Sequence, residues 1–167
     1  MKRIFMAIFT VFLMTGLIWT GQTEAGYGLG PFVTGSVDTA GEAKGVYVSG
    51  SYAYVAAESA GLEIIDISDP ISPKIVGSVD TDGYALGVYV SGSYAYVADW
   101  EPGLKIIDIS DPTSPKIVGS VDTNGNANGV YVIGSYAYVA AGSAGLEVID
   151  ISVPTPPQIV GSVDTDA

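Results

Sequence analysis

The sequence predicts an all-β fold built from three copies of one four-stranded antiparallel sheet. The segment GSVDT occurs four times, beginning at Gly35, Gly77, Gly119 and Gly161, so its copies are 42 residues apart. Valine, isoleucine and tyrosine, which favour strands, dominate each copy, and long runs of helix-forming residues are lacking. A period in the low forties with strand composition is typical of a β-propeller blade. We therefore expect three propeller blades, at residues 40–81, 82–123 and 124–165.

The first 25 residues predict a secretory signal peptide. Lys2 and Arg3 give a positive start, an apolar stretch runs from Ile4 to Trp19, and Ala25 ends a small-residue cleavage signal. An uncleaved membrane anchor is the alternative, although a span usually needs about 20 apolar residues. We expect a secreted, periplasmic or cell-surface protein, with no membrane span in its mature form.

Residues 26–39 form a leading segment before the first blade. From Pro31 to Asp38 this segment resembles the last strand of a blade and has no preceding strands of its own, so we expect an unpaired outer strand. The third copy already contains its own last strand, which leaves one strand in excess. Either the sequence is a piece of a longer protein, or two or more chains join as a homo-oligomer that completes the ring.

Each copy contains four strand signals separated by turn residues, which is the number that one blade requires. Apolar side chains point to both faces of the predicted sheet, so each sheet should be packed between two others. An aspartate that recurs as Asp66, Asp108 and Asp150 should accept backbone N–H groups where the third strand ends. In the first copy the predicted strands are Gly45 to Val48, Tyr52 to Ala56, Leu62 to Ile67 and Lys74 to Asp80.

The composition removes several classes of function. The formal net charge is −12, so nucleic acid and anionic membranes are poor partners. The chain has no cysteine and no histidine, which removes disulfides, nucleophilic triads and the usual zinc sites. We expect a protein that is not an enzyme and that needs no cofactor.

The differences between the three copies predict where a ligand binds. They concentrate in the connection before the first strand of each blade and in the connection between its second and third strands. In an antiparallel sheet these two connections emerge on the same rim, which we take as the candidate binding face for a protein or a glycan. The candidate residues are Glu42, Lys44, Glu58, Tyr84, Asp99, Trp100, Glu101, Asn126 and Asn128.

Trp100 is the most informative residue of this rim, because the other copies hold Glu58 and Gly142 at its position. Its ring could stack on a sugar or pack on a protein partner, or it could fold over the blade edge against Pro102. Two acids of the rim acting as in a glycosidase are an alternative, with Glu58, Asp99 and Glu101 as candidates.

Calcium-dependent carbohydrate binding is a further alternative, because oxygen donors alternate at the starts of the second and third copies. No acid closes either loop twelve residues along, and a plain turn explains the same residues. The donors in question are Asp80 and Asp82, or Asp122 and Asn124.

Three blocks of sequence carry a resemblance to a known repeat family. LEIIDISDP (Leu62 to Pro70), LKIIDISDP (Leu104 to Pro112) and LEVIDISVP (Leu146 to Pro154) each follow GVYV and YAYVA, and together they resemble the LVIVD repeat. The resemblance implies a β-propeller in an exported or cell-surface protein and no common reaction or ligand. The third copy departs from the others at Val153 and Gln158. We expect an exported, non-catalytic scaffold with a ligand face on one rim.

Overall fold

A computed structural model of the protein describes residues 33–165. The predicted signal peptide, its cleavage site and the leading segment as far as residue 32 lie outside the described residues. The chain divides after residue 34, and every strand of the described residues lies in the second unit, residues 35–167. No helix of the described part is long and apolar enough to cross a membrane.

The described chain folds into three separate four-stranded antiparallel sheets, one for each repeat, and each sheet runs in the order of its strands along the chain. The only helical element in this range is a 3₁₀ turn at Gly142–Ala144. The strands of the first sheet are β1 (Gly45–Ser49), β2 (Tyr52–Ala56), β3 (Leu62–Asp66) and β4 (Lys74–Val79). Those of the second are β5 (Gly87–Ser91), β6 (Tyr94–Ala98), β7 (Leu104–Asp108) and β8 (Lys116–Val121), and those of the third are β9 (Gly129–Ile133), β10 (Tyr136–Ala140), β11 (Leu146–Asp150) and β12 (Gln158–Val163).

These sheets confirm the predicted all-β fold class, in the form of a partial propeller whose sheets do not close into a ring. The predicted strand boundaries agree with the observed ones to within one residue. In every sheet a β-bulge interrupts the pairing of the third and fourth strands, between Ile64 and Ile65 in the first sheet. Such a bulge bends the outer strand and increases its local twist.

The hydrophobic core lies between the sheets. Leu62 and Ile64 of the first sheet pack against Val97 and Ile107 of the second, and all four are fully buried. The equivalent residues of the second sheet, beginning with Leu104, pack in the same way on the third. Burying each such side chain contributes about 2 kcal/mol, so each sheet is stabilised mainly by its neighbours.

Three tyrosines run across the first strands of the sheets, where β1, β5 and β9 lie beside one another. The ring centroids of Tyr47 and Tyr89 are 4.8 Å apart, and those of Tyr89 and Tyr131 are 4.7 Å apart. Tilted and edge-to-face contacts of this kind are the favoured aromatic geometry. Burial, with the neighbouring hydroxyls of Tyr131 and Tyr47, raises the pKa of Tyr89 to about 12.

The recurring aspartate accepts a backbone N–H group, as the sequence predicted. Oδ1 of Asp66 accepts from the N–H of Ser68 at 2.8 Å, and Asp108 and Asp150 repeat the bond. These bonds lower the pKa of all three carboxyls. The three aspartates therefore hold the turn after the third strand of each sheet.

The two outer faces of the stack are covered to different extents. On the first sheet, Val37 of the leading segment packs against Val55 and Ile65. Gly35 faces the carbonyl oxygen of Pro70 as Gly77 of β4 faces that of Pro112 on the next sheet. Residues 35–37 thus lie against the first sheet as β4 lies against the second, although residues 35–43 form no strand.

Candidate functional site

The two variable connections of neighbouring sheets are hydrogen-bonded to each other. The N–H of Trp100, which follows β6, donates to the carbonyl of Ala127 before β9 at 3.1 Å, and the N–H of Ala127 donates back at 2.9 Å. Glu58 and Ala85 form the same pair of bonds between the first and second sheets. The positions that differ most between repeats therefore lie together at one rim, joined across each gap between sheets.

Backbone strain accompanies this pairing. Glu58 and Trp100 have positive φ angles of 45° and 58°, and Gly142, at the same position of the third repeat, has a φ of 53°. The left-handed region favours glycine and costs other residues about 1 kcal/mol or more. Strain in a non-glycine residue is often associated with function, which draws attention to the tryptophan.

A pocket of about 530 Å³ opens on the rim between the first two sheets. It contains two aromatic rings, with Tyr84 half-exposed and Trp100 partly buried, and three exposed carboxylates. The lining consists of residues from both variable connections of the second repeat and of two residues from the first. The lining residues are Ser59, Asp80, Asp82, Gly83, Tyr84, Trp100, Glu101 and Pro102.

A buried carboxylate changes its position in the second repeat. Glu63 and Glu147, at the same place in the third strands of sheets one and three, are buried, and each accepts the N–H of the residue after the GSVDT segment. The second repeat holds Lys105 there, and its buried acid is Asp99, where the other copies have alanine. Each repeat thus keeps one buried carboxylate on this rim, placed on a different strand end in the second.

The moved carboxylate reshapes the connection that lines the pocket. Thr39 and Thr123 donate their hydroxyls to Gly41 and Gly125 two residues ahead, whereas Thr81 donates to Oδ1 of Asp99 at 2.5 Å. With no glutamate to receive it, the N–H of Asp82 turns back to Oδ1 of Asp80 at 3.0 Å, and Asp82 takes a φ of 67°. Among the three repeats, only the second has a turn that follows this path.

Asp99 is held in an unusual environment. It is fully buried, and its Oδ2 has no hydrogen-bond partner in residues 33–165. Burial raises the pKa of Asp99 to about 6, while the hydroxyl of Thr81 and the charge of Lys105 oppose that rise. Oδ2 points at Gly83 on the pocket wall, where a Cβ would come within 2.8 Å of it. A polar, partly charged group therefore lies directly beneath the pocket.

The gap at the first repeat has a different charge arrangement. Nζ of Lys44 lies 2.6 Å from Glu42 and 3.3 Å from Glu58, which lowers the pKa of Glu42 and raises that of Lys44. The second repeat has Leu86 where the first has Lys44. The two acids that Lys44 pairs with are replaced by Tyr84 and Trp100 in the second repeat, so aromatic rings stand there in place of an ion-paired group.

The structure places the candidate residues of the sequence analysis in three groups. Glu42, Lys44 and Glu58 form the ion-paired group, Tyr84, Trp100 and Glu101 line the pocket with Asp99 behind its wall, and Asn126 and Asn128 belong to the connection before the third sheet. Ser59, Gly83 and Pro102 were missed as pocket residues. Their signal was available, since all three belong to the two connections that vary.

Across residues 33–165 no group of three or more acidic side chains is placed to hold a metal ion. Asp80 and Asp82 stand in the pocket wall. Asn124 instead donates its backbone and side-chain N–H groups to the buried Glu147. Chemically, the rim offers a negative, aromatic surface.

Solved structures of similar fold include two computationally designed proteins. Ika4 has a TM-score of 0.64 at 9% sequence identity, over 81% of this chain and 80% of Ika4. Ika8 has a TM-score of 0.60 at 10% identity over 73% of this chain, which spans 36% of the length of Ika8. At such identities the likeness concerns the fold alone. No curated protein matches the chain.

The repeats themselves identify the family. The sequence model of the LVIVD repeat matches residues 40–81, 82–123 and 124–165, which are the three predicted copies and contain the three observed sheets. These matches cover most of the chain, and the chain belongs to the LVIVD repeat family.

Proposed function

We propose that this protein is an exported, non-catalytic scaffold that binds a partner molecule through the rim pocket of its second repeat. The observation that carries the proposal is that Tyr84 and Trp100, two aromatic residues unique to one repeat, line the same pocket. Aromatic side chains at rigid positions dominate the binding energy of many interfaces. The repeated sheets supply the rigid support, and the connections supply the variation.

The positions of the three candidate acids of the sequence analysis favour a binding role over catalysis by a pair of them. Glu58, one of the candidate acids, is ion-paired with Lys44, and Asp99 is fully buried behind Gly83. Only Glu101 of the three stands in the pocket, where its carboxylate is exposed. A general acid needs to reach the scissile bond, and a buried group does not.

Screening wild type and Trp100→Ala on glycan and protein-ligand arrays tests this proposal. We expect a ligand that wild type binds and the variant does not, while Tyr131→Ala, at a residue that does not line the pocket, retains it. Equal binding by wild type and Trp100→Ala would remove the pocket as the binding site. A hydrolytic activity abolished by Glu101→Gln would favour the enzyme alternative.

We propose in addition that a second copy of the chain covers the open sheet faces. Leu146 is 39% exposed, whereas Leu62 and Leu104 at the same position are fully buried, and Val48 is 58% exposed against 7% for Val90. The outer face of the third sheet and the part of the first sheet that Val37 leaves uncovered are thus copies of surfaces that pack on each other between the sheets, so they complement each other across two chains. Light scattering on the secreted product should give a dimer or larger assembly, and a stable monomer would contradict this.

A further inference from the structure

The pocket that the proposed function relies on has an electrostatic character that selects a class of ligand. Three carboxylates, those of Asp80, Asp82 and Glu101, line it, and none of its lining residues is basic. The equivalent of Lys44 is Leu86, so the chain supplies no internal cation at the place where the first repeat has one. An anionic ligand would be repelled here, and a neutral ligand would leave the acids unmatched.

The two aromatic rings further restrict the class of ligand that suits the pocket. The face of an indole or phenol ring carries negative charge density and attracts an organic cation within about 6 Å of its centre. Trp100 is fixed by its two backbone hydrogen bonds to Ala127, and Tyr84 lies on the opposite connection of the same repeat. Rings combined with carboxylates suit an ammonium group with alkyl substituents better than a bare metal ion, which needs converging oxygens.

The buried carboxylate of Asp99 is an independent indication that the ligand is a cation. Asp99 is fully buried, and its Oδ2 is unpartnered and directed at Gly83 in the pocket wall. An unpaired buried carboxylate is costly, and a cation seated over Gly83 would offset part of that cost. Lys105 is the basic residue whose charge acts on Asp99 from within the chain, and Asp80 and Asp82 add to the negative charge.

We propose that the pocket between Tyr84 and Trp100 binds an organic ammonium cation, held by the two rings and by the carboxylates of Asp80, Asp82 and Glu101. The cation is either a free small molecule or the side chain of a lysine in a peptide, since both present the same chemistry. The proposal rests on the proposed function and specifies its ligand.

Two ligands of the same shape test whether the pocket requires a positively charged ligand. Choline and 3,3-dimethyl-1-butanol have the same shape, and only choline is charged. Calorimetric titration of the full chain should show that choline binds at least tenfold more tightly than the neutral alcohol and that salt weakens this binding. Acetyl-lysine-methylamide, with its free side-chain amine, represents the peptide source, and the tighter of the two cations identifies the source.

Variants taken from the other repeats locate the site. Trp100→Gly installs the residue of the third repeat, suits the φ of 58°, and should reduce choline affinity about tenfold by removing a ring. Leu86→Lys installs the lysine of the first repeat, keeps both rings, and should reduce it at least as much by occupying the pocket. Gln158→Lys adds the same charge at the start of β12, the end of the third sheet away from the rim, and should leave affinity within about twofold, because exposed charges beyond a Debye length are screened.

Several outcomes would overturn the cation proposal. Equal affinity for choline and the neutral alcohol would show an apolar site, and no binding of either ammonium probe at tens of millimolar would exclude the class. Calcium that binds the pocket and displaces choline would indicate a metal site. A glycan whose binding is lost in Trp100→Gly, with no ammonium binding, would refute the cation while leaving the proposed ligand pocket intact.

Discussion

The hydroxyl of Thr81 donates a 2.5 Å hydrogen bond to the buried carboxylate of Asp99, 18 residues away on the other variable connection. In the first and third repeats the equivalent threonines bond within their own turns instead. This single contact links the two connections of the second repeat, and it accompanies the turn that lines the pocket. The pocket and the stability of the rim are therefore coupled through Asp99.

Asp99 should make stability fall as pH rises. Its pKa is about 6 in the folded protein and 3.8 ordinarily, so between these values the folded state binds more protons than the unfolded state. The free energy of unfolding then decreases from about pH 4 to about pH 6, by no more than about 3 kcal/mol. Urea unfolding at half-unit pH steps measures this slope.

Asp99→Asn is the variant that isolates the effect. The free energy of unfolding of this variant should not decrease between about pH 4 and about pH 6, and the variant should be more stable than wild type at pH 7.5. Asp99→Ala, which restores the residue of the other repeats, should behave likewise. Asp66, Asp108 and Asp150 have lowered pKa values and act oppositely, since their contribution is lost as pH falls below about 4. An unchanged slope in both Asp99 variants would show that Asp99 is not the titrating group.

Moving the buried acid from position 99 to position 105, where the other repeats have it on the third strand, should show strong coupling between the two positions. Lys105→Glu alone places a second acid beside the buried Asp99 and should destabilise the protein by about 2–4 kcal/mol. Asp99→Ala combined with Lys105→Glu recreates the pair found at Ala57 and Glu63 and should recover most of that loss. A double-mutant cycle by chemical denaturation measures the coupling between residues 99 and 105. Strictly additive effects would contradict the idea that Asp99 replaces the buried glutamate of the other repeats.

Equivalent leucines offer a matched test of the sheet packing. Leu104→Ala removes a fully buried side chain between the second and third sheets and should cost about 2–5 kcal/mol. Leu146→Ala alters the same position on the open face and should cost less than about 1 kcal/mol at concentrations where the chain is monomeric. Denaturation of both variants side by side measures the difference. A large cost for Leu146→Ala under those conditions would mean that another part of the chain covers the face.

Gly83 should tolerate no side chain. A Cβ there would overlap the carbonyl oxygen of Asp99 and approach both Oδ2 and Cδ of Pro102 at 2.8 Å. Gly83→Ala should therefore destabilise the protein by about 2 kcal/mol or more and distort the pocket. Gly92→Ala is the comparison, because its φ of 59° is unfavourable but nothing lies within 4 Å. It should cost only about 1 kcal/mol, and thermal unfolding of the two variants should separate them.

The sequence was sufficient for the strands and for Tyr84, Trp100 and Glu101 of the pocket, and insufficient for the buried carboxylate behind it. The strands follow from local composition and from turns that recur, so Gly45 to Val48 was placed to within one residue of β1. The exchange between Asp99 and Lys105 was visible as two substitutions, but which side chain is buried depends on the packing of neighbouring sheets. Asp80 and Asp82 were interpreted through the spacing of a calcium loop, whereas their place in the pocket depends on a turn redirected by a distant carboxylate.

The row of Tyr47, Tyr89 and Tyr131 makes the stacking of the sheets optically visible. Three phenol chromophores with centroids 4.8 Å and 4.7 Å apart are close enough for their electronic transitions to couple, so we expect them to contribute a circular dichroism signal. That signal exists only while the first strands lie side by side. It would therefore report separation of the sheets independently of the backbone signal, which reports the strands themselves.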